Sequence, residues 1–257
     1  MISPRRPRVA SGHFEALVPP PPRDFAARAV RVFVPHDGAE VRPALFLLDG
    51  QDVFSDDRAA GGGWGVDQAV AGLDLRRTAA PLVVAIPRDD ARRAQELTPW
   101  PLEGGRGGEA FAFLHWVARA VVPAVRQRYA LPDGALGAVL GGASWGGLCA
   151  LCGHFAYPQV FGGALCLSPA LWVGDFAARP WLEAQPTPAF SRIYLDCGAR
   201  EAEGRMLPPA RDLAHRLRAR GYPRGQLGWR PDPRGEHTEG HWRRRLPRAL
   251  RFMFRRG

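Results

Sequence analysis

Five short apolar runs, "PALFLLDG", "PLVVAIP", "LGAVLGG", "GALCLSP" and "SRIYLDCG", recur along the chain and alternate with longer patterns of helical spacing, the clearest being "EAFAFLHWVARAVVPAVRQRY". A strand that alternates apolar and polar residues has one wet face, whereas a continuous apolar run needs cover on both. Such runs interleaved with helices dictate an α/β architecture: a mostly parallel sheet with helices on each side. "HFEAL" and "ARAVRVFVP", parted by the Pro-rich "VPPPPRD", read as extended segments and predict an antiparallel start to that sheet. Residues 1–11 are polar and read as a loose leading segment, leaving 12–257 as one domain. At 257 residues, 46% of them hydrophobic, the chain can bury one large core.

In an open parallel sheet the ligand crevice lies beyond the carboxyl ends of the strands, so chemistry is sought just after each apolar run. Gly142-Ala143-Ser144-Trp145-Gly146 matches G-x-S-x-G and falls between a strand and the helical pattern "WGGLCALCGHFA". A sharp strand-to-helix turn there forces the serine into a strained backbone, and its flanks must lack bulk because strand and helix pass close by. Glycine is what that geometry tolerates.

A serine hydroxyl needs a base before it attacks, and the α/β-hydrolase order along the chain is serine, acid, histidine. His154, His215, His237 and His241 follow Ser144. The first two lie inside helical patterns, while the loop "DPRGEHTEGHW" favours His237 over His241. For the acid, "YLDCGAREAEG" offers Asp196, Glu201 and Glu203, with Asp232 of "RPDPRG" outside it. Asp196 is still in its apolar run and suits bracing of the sheet end; Glu201 stands past the strand end, where an acid must reach the imidazole.

Net charge +10 invites a nucleic-acid partner, yet the 35 basic residues are all arginine and asparagine is also absent, as GC-rich coding pressure alone would produce. The densest basic run, "HWRRRLPRALRFMFRRG", keeps Trp242, Leu246, Leu250 and Phe254 at helical spacing, so its arginines read as the solvated face of a docked helix. No nucleic-acid partner is expected. Cys149, Cys152, Cys166 and Cys197 sit in apolar segments and read as reduced core residues; the C-x-x-C lacks the second ligand pair of a zinc site, and no metal is expected. No run of about 20 apolar residues and no leading apolar segment is found, so the expectation is a cytoplasmic protein without a membrane partner.

Several segments together resemble the putative esterase family of α/β-hydrolases, which includes enterochelin (ferric siderophore) esterases, feruloyl and acetyl xylan esterases, S-formylglutathione hydrolases and mycolyltransferases. "LLDGQDVF" is similar to its strand and oxyanion loop, "RAQELTP" to its R-x-x-E-x-T-P segment, "GGASWGG" to its nucleophile elbow, "LSPALW" to the following strand end, and "GEHTEGHW" to its histidine loop. The resemblance implies an α/β-hydrolase fold with Ser144 as nucleophile, Glu201 as acid and His237 as base. It also implies an oxyanion hole from the backbone N–H groups of Gln51 and Trp145, and no cofactor.

Arg93 and Glu96 are candidates to line the pocket, Arg93 meeting an anionic substrate, or else to brace the loop as a pair. Trp242 is a further pocket candidate, read chiefly as the aromatic that packs the histidine loop, and Asp49 as a loop brace that accepts backbone N–H bonds. The expected activity is hydrolysis of a small-molecule carboxylic ester through an acyl-enzyme, the ester being of siderophore, carbohydrate or short-chain type. An acyltransferase with the same triad and a non-catalytic binding module on the same fold are the alternatives. The short stretch before "PALFLLDG" leads us to expect no separate N-terminal domain of the kind enterochelin esterases often carry. The sequence leaves the oligomeric state open.

Overall fold

The computed structural model describes residues 12–21, 27–55 and 63–256; the loose leading segment expected at 1–11 lies outside the described residues. The apolar runs become strands β3 (Ala44–Leu47), β4 (Leu82–Ala85), β5 (Ala138–Ala143), β6 (Gly163–Leu167) and β7 (Arg192–Gly198), preceded by β1 (Gly12–Leu17) and β2 (Val30–Pro35) and followed by β8 (Leu227–Asp232). They form one sheet in the order β1-β2-β4-β3-β5-β6-β7-β8. β1 and β2 pair antiparallel and β2 runs antiparallel to β4, while every pair from β4 to β8 is parallel. The antiparallel start and the parallel body both follow the sequence pattern.

Nine helices are described: α1 (Val66–Ala71), α2 (Arg93–Leu97), α3 (Ala110–Trp116), α4 (Val122–Arg128), α5 (Trp145–Ala156), α6 (Val173–Phe176), α7 (Ala178–Ala184), α8 (Leu207–Ala219) and α9 (Glu239–Met253). Strand periodicity divides the apolar runs between two cores. Phe46 of β3, Val84 of β4, Cys166 of β6 and Ile193 of β7 face the side that carries α3, α4, α5 and α8. Their neighbours Leu45, Val83, Leu165 and Tyr194 face α1 and α9. Each such aliphatic or aromatic side chain removed from water contributes about 1.5–3 kcal/mol, so a continuous run is stabilising only where both faces are covered.

The long helical pattern is interrupted. Between α3 and α4, residues Val117–Val121 widen into a π turn. Pro123 explains it: the ring lacks an N–H and collides with the carbonyl four residues earlier, that of Arg119, inside the widened segment. All four cysteines are free and buried, and burial pushes the Cys149 and Cys152 thiols up, away from the reactive thiolate. Among the described residues no helix is long and apolar enough to cross a membrane.

Candidate active site

β5 ends at Ala143, α5 begins at Trp145, and Ser144 joins them with φ 56° and ψ −120°. A non-glycine residue held there stores strain on the order of 1–3 kcal/mol, so its surroundings must fix it. They do so through three hydrogen bonds: the Ser144 N–H donates to Leu167 O at 3.0 Å, and its carbonyl accepts from Leu148 at 3.1 Å and Ala170 at 3.0 Å. A methyl group on Gly142 would lie 2.5 Å from the carbonyl carbon and oxygen of Gly146. Gly142 is therefore a consequence of strand and helix backbones in contact, whereas a methyl group on Gly146 would meet only Asp49 Oδ2 at 3.4 Å and Leu48 Cβ at 3.6 Å.

The parallel pair β7 and β8 brings the next two candidates together. Register places Gly198 opposite Asp232, and a side chain at Gly198 would meet the Gly235 backbone at 2.4 Å. The loops beyond are stitched by Ala199 N–H to Asp232 O (2.8 Å) and Arg200 N–H to Gly235 O (3.0 Å). Glu201 and His237 consequently meet, with Oε2 3.0 Å from Nδ1. The glutamate side chain is fully buried and the imidazole one-third exposed. His237 also stands edge-on to Trp242, 5.0 Å between ring centres.

Ser144 and His237 line one cleft of about 440 Å³ at the carboxyl ends of the strands, together with Trp64, Trp145, Trp172 and Trp242. No hydrogen bond joins the serine and histidine side chains among the described residues. The rival candidates stand elsewhere. His241 Nδ1 accepts from the Glu236 N–H at 2.8 Å, Glu203 is exposed beside Arg205, and Asp232 caps a turn by accepting the Arg234 N–H.

Behind Glu201 lies a buried polar cluster that the sequence reading did not anticipate. Glu201 Oε1 accepts from Ser168 Oγ at 2.6 Å, from the Gly198 N–H at 2.8 Å and from Arg245 Nη2 at 3.0 Å. Ser168 Oγ in turn receives Trp242 Nε1 at 3.1 Å and Arg245 Nη2 at 2.9 Å. Arg245 Nη1 sits 3.2 Å from Asp196 Oδ1. Arg245 is 3% exposed, which corrects the reading of that run's arginines as a solvated face. Its position was visible in principle, three residues after Trp242 and one before Leu246, on the apolar stripe of α9.

The cluster sets the charge states. Burial by itself pushes the Glu201 carboxyl up, but the bonds from His237 and Ser168, the Arg245 charge and the Gly198 N–H outweigh it and bring its pKa down to about 2. Burial wins at Asp196, whose pKa is raised to about 7 against the attraction of Arg245 and the Ser168 N–H.

On the other side of the cleft, Asp49 has a left-handed backbone (φ 57°) and, among the described residues, braces its loop through guanidinium groups instead of backbone N–H groups. Arg93 grips both carboxylate oxygens at 2.9 Å, and Arg88 Nη1 lies 3.0 Å from Oδ1. The Gln51 side chain is engaged with the Arg88 backbone in both directions, at 2.7 and 3.0 Å. Arg93 lies over the Trp145 ring, 4.9 Å from its centre, and both line the cleft.

Glu96 does not reach the cleft. It is fully buried, its two oxygens gripped by Arg28 at 2.9 and 2.8 Å, and it accepts the Asp89 N–H at 3.0 Å. Arg93 and Glu96 thus brace two different partners and not each other. Among the described residues no cluster of three or more His, Cys, Asp or Glu is placed to hold a metal ion.

No curated protein matches the chain in sequence. Among solved structures it is similar to the enterobactin esterase of Shigella flexneri, with a TM-score of 0.75 and 24% identity over 96% of this chain and 60% of that one. The chain thus spans about three-fifths of that enzyme's length. The BES protein of Bacillus cereus matches end to end, at TM-score 0.72 and 18% identity over 99% of both chains. The siderophore hydrolase EstB of Aspergillus nidulans gives 0.68 and 19% over 97% of each. Identities this low establish the shared α/β-hydrolase fold. The family model described as "putative esterase" matches residues 26–253, and the chain belongs to that family of ester hydrolases.

Proposed function

We propose that this ester hydrolase works through Ser144, His237 and Glu201 by way of an acyl-enzyme. The observation that carries the reading is the 3.0 Å contact between Glu201 Oε2 and His237 Nδ1 beside a cleft that also holds the strained Ser144. In this reading Nδ1–H donates to the carboxylate, which leaves Nε2 as the basic nitrogen for the serine proton. Attack on the ester carbonyl turns its oxygen into an alkoxide. The N–H groups of Trp145, at the N-terminus of α5, and of Gln51 receive that charge, and they stabilise the transition state more than the substrate. The proton passes from His237 to the leaving alcohol, and water activated by the same nitrogen then releases the acid.

The lining favours an ester that carries aromatic groups. Four tryptophans bound the cleft, while the guanidinium groups of Arg88 and Arg93 are taken up by Asp49 and Asp52 and leave no surplus positive charge. An ester of siderophore type fits that lining, and the likeness to an enterobactin esterase and a fungal siderophore hydrolase points the same way. Glu96 has no part in this reading. The test is a panel of p-nitrophenyl short-chain esters, feruloyl and acetyl sugars, S-formylglutathione and a ferric catecholate trilactone, run with Ser144→Ala in parallel and with a fluorophosphonate probe located by mass spectrometry. We expect cleavage that the alanine variant loses and an adduct on Ser144. An adduct elsewhere, or no ester cleaved faster than by the variant, overturns the proposal.

A further inference from the structure

We infer that Arg245 is a positioning residue for the reaction: its guanidinium fixes Glu201 Oε1, so that Oε2 stays ionised and aimed at His237 Nδ1. The inference rests on the Ser144–His237–Glu201 reading. Its basis is geometric. Glu201 has two oxygens and one task, and a carboxylate free to rotate would spread itself among partners. Oε1 is locked by Ser168 Oγ, the Gly198 N–H and Arg245 Nη2, within 2.6–3.0 Å. Only Oε2 is left for the imidazole. Arg245 is also the one permanent cation touching that carboxylate among the described residues, and the same Nη2 reaches Ser168 Oγ.

The cluster is a costly way to fill space. Arg245 Nε and Asp196 Oδ2 find no hydrogen-bond partner among the described residues. A buried ion pair left partly unsatisfied is no better for stability than apolar side chains of the same volume. What an apolar side chain could not do is hold a charge at Glu201. Asp196 fits this division of labour: it meets the other terminal nitrogen, Nη1, at 3.2 Å, and burial raises its carboxyl, so below about pH 7 the Arg245 charge falls mainly to Glu201.

The titratable and charged groups around these residues come from several elements. From α9 come Arg245 and, beside Asp196, Arg248, which also donates to the Tyr194 hydroxyl of β7. The turn after β7 supplies Glu201, and the strand itself Asp196 and Cys197. The cleft around His237 adds Asp49, Asp52, Arg88, Arg93 and Glu239. Removing Arg245 from this set takes one positive charge from the far side of the Glu201–His237 pair. The imidazolium then becomes easier to form, so the base protonates at higher pH.

The experiment measures kcat and KM for p-nitrophenyl acetate against pH for the native chain, Arg245→Met and Arg245→Lys, with melting temperatures alongside. The double variant Arg245→Met/Asp196→Asn removes both members of the buried pair and covers the case in which the single variant does not fold. We expect Met, alone or in the double variant, to lower kcat about tenfold or more with KM within about threefold. The acidic limb of kcat/KM should move up by about half to one pH unit, and Lys should restore it. A folded Met variant whose limb stays at the native pH overturns the inference, as does a rate that follows the melting temperature alone. Turnover lost in Ser144→Ala with an unmoved limb sinks the role of Arg245 only; turnover that survives Ser144→Ala sinks the esterase mechanism itself.

Discussion

The Ser144 turn and the Glu201–His237 corner stand on either side of one cleft and are built by opposite means. Ser144 is held by backbone: three main-chain hydrogen bonds and a contact between Gly142 and Gly146 that admits no side chain. Glu201 is held by side chains drawn from three segments, with Ser168 after β6, His237 after β8, and Trp242 and Arg245 of α9 closing one polar network. A backbone device fails all at once when a methyl group is added. A side-chain device can be taken apart one group at a time, with graded effects.

Changes that strike the chemistry directly give the largest contrast. Ser144→Ala should lower kcat by about 10⁵-fold or more while leaving the melting temperature close to native, since the turn is fixed by main-chain groups that alanine retains. His237→Ala should cost a loss of the same order, whereas His241→Ala, whose ring meets the Glu236 N–H and carboxylate and Arg244, should stay within about tenfold. Equal losses at the two histidines, read as kcat on one p-nitrophenyl ester, would undo the assignment of the base.

The same contrast explains what could be read in advance. Strand runs, helix spacing and the elbow are local patterns in which each residue's type follows from the backbone beside it, and β1–β7 and α5 accordingly fall where the sequence puts them. The pairing of Glu201 with His237, 36 residues apart, was legible too, because each stands in a loop past a strand end and the family resemblance points to the same two residues. The roles of Ser168 and Arg245 were not legible. Their partners lie 33 to 77 residues away, and although Arg245 falls on the apolar stripe of α9, nothing local names the carboxylates it meets. Glu96 misled for the same reason. Its neighbour Arg93 looked like its partner, and the true partner, Arg28, is 68 residues away.

A smaller loss should follow Glu201→Gln, which keeps the shape of the side chain but puts an amide where Nδ1–H wants a carboxylate. We expect turnover to fall by about 10³- to 10⁴-fold, with far-ultraviolet circular dichroism unchanged. Near-native turnover in that variant, beside a folded and inactive Asp232→Asn, would move the acid to the histidine loop and break the comparison on its side-chain half.

The smallest effect concerns stability and tests the cluster without touching the reaction. Asp196 is buried and its pKa is raised from 3.8 to about 7. Below pH 3.8 the group is neutral both folded and unfolded. Between 3.8 and 7 the unfolded chain gives up this proton while the folded chain keeps it, so stability drains away as pH rises and the loss is complete above 7. Asp196→Asn removes that slope, whatever its effect at any single pH from weakening the hold on Arg245. The difference in melting temperature, variant minus native, should therefore climb between pH 5 and pH 8, by an amount on the order of 2 kcal/mol or several degrees. A difference that stays flat across that range would mean that Asp196 is ionised throughout. Arg245 would then be shared equally between two carboxylates, and the buried corner would be an ordinary structural ion cluster.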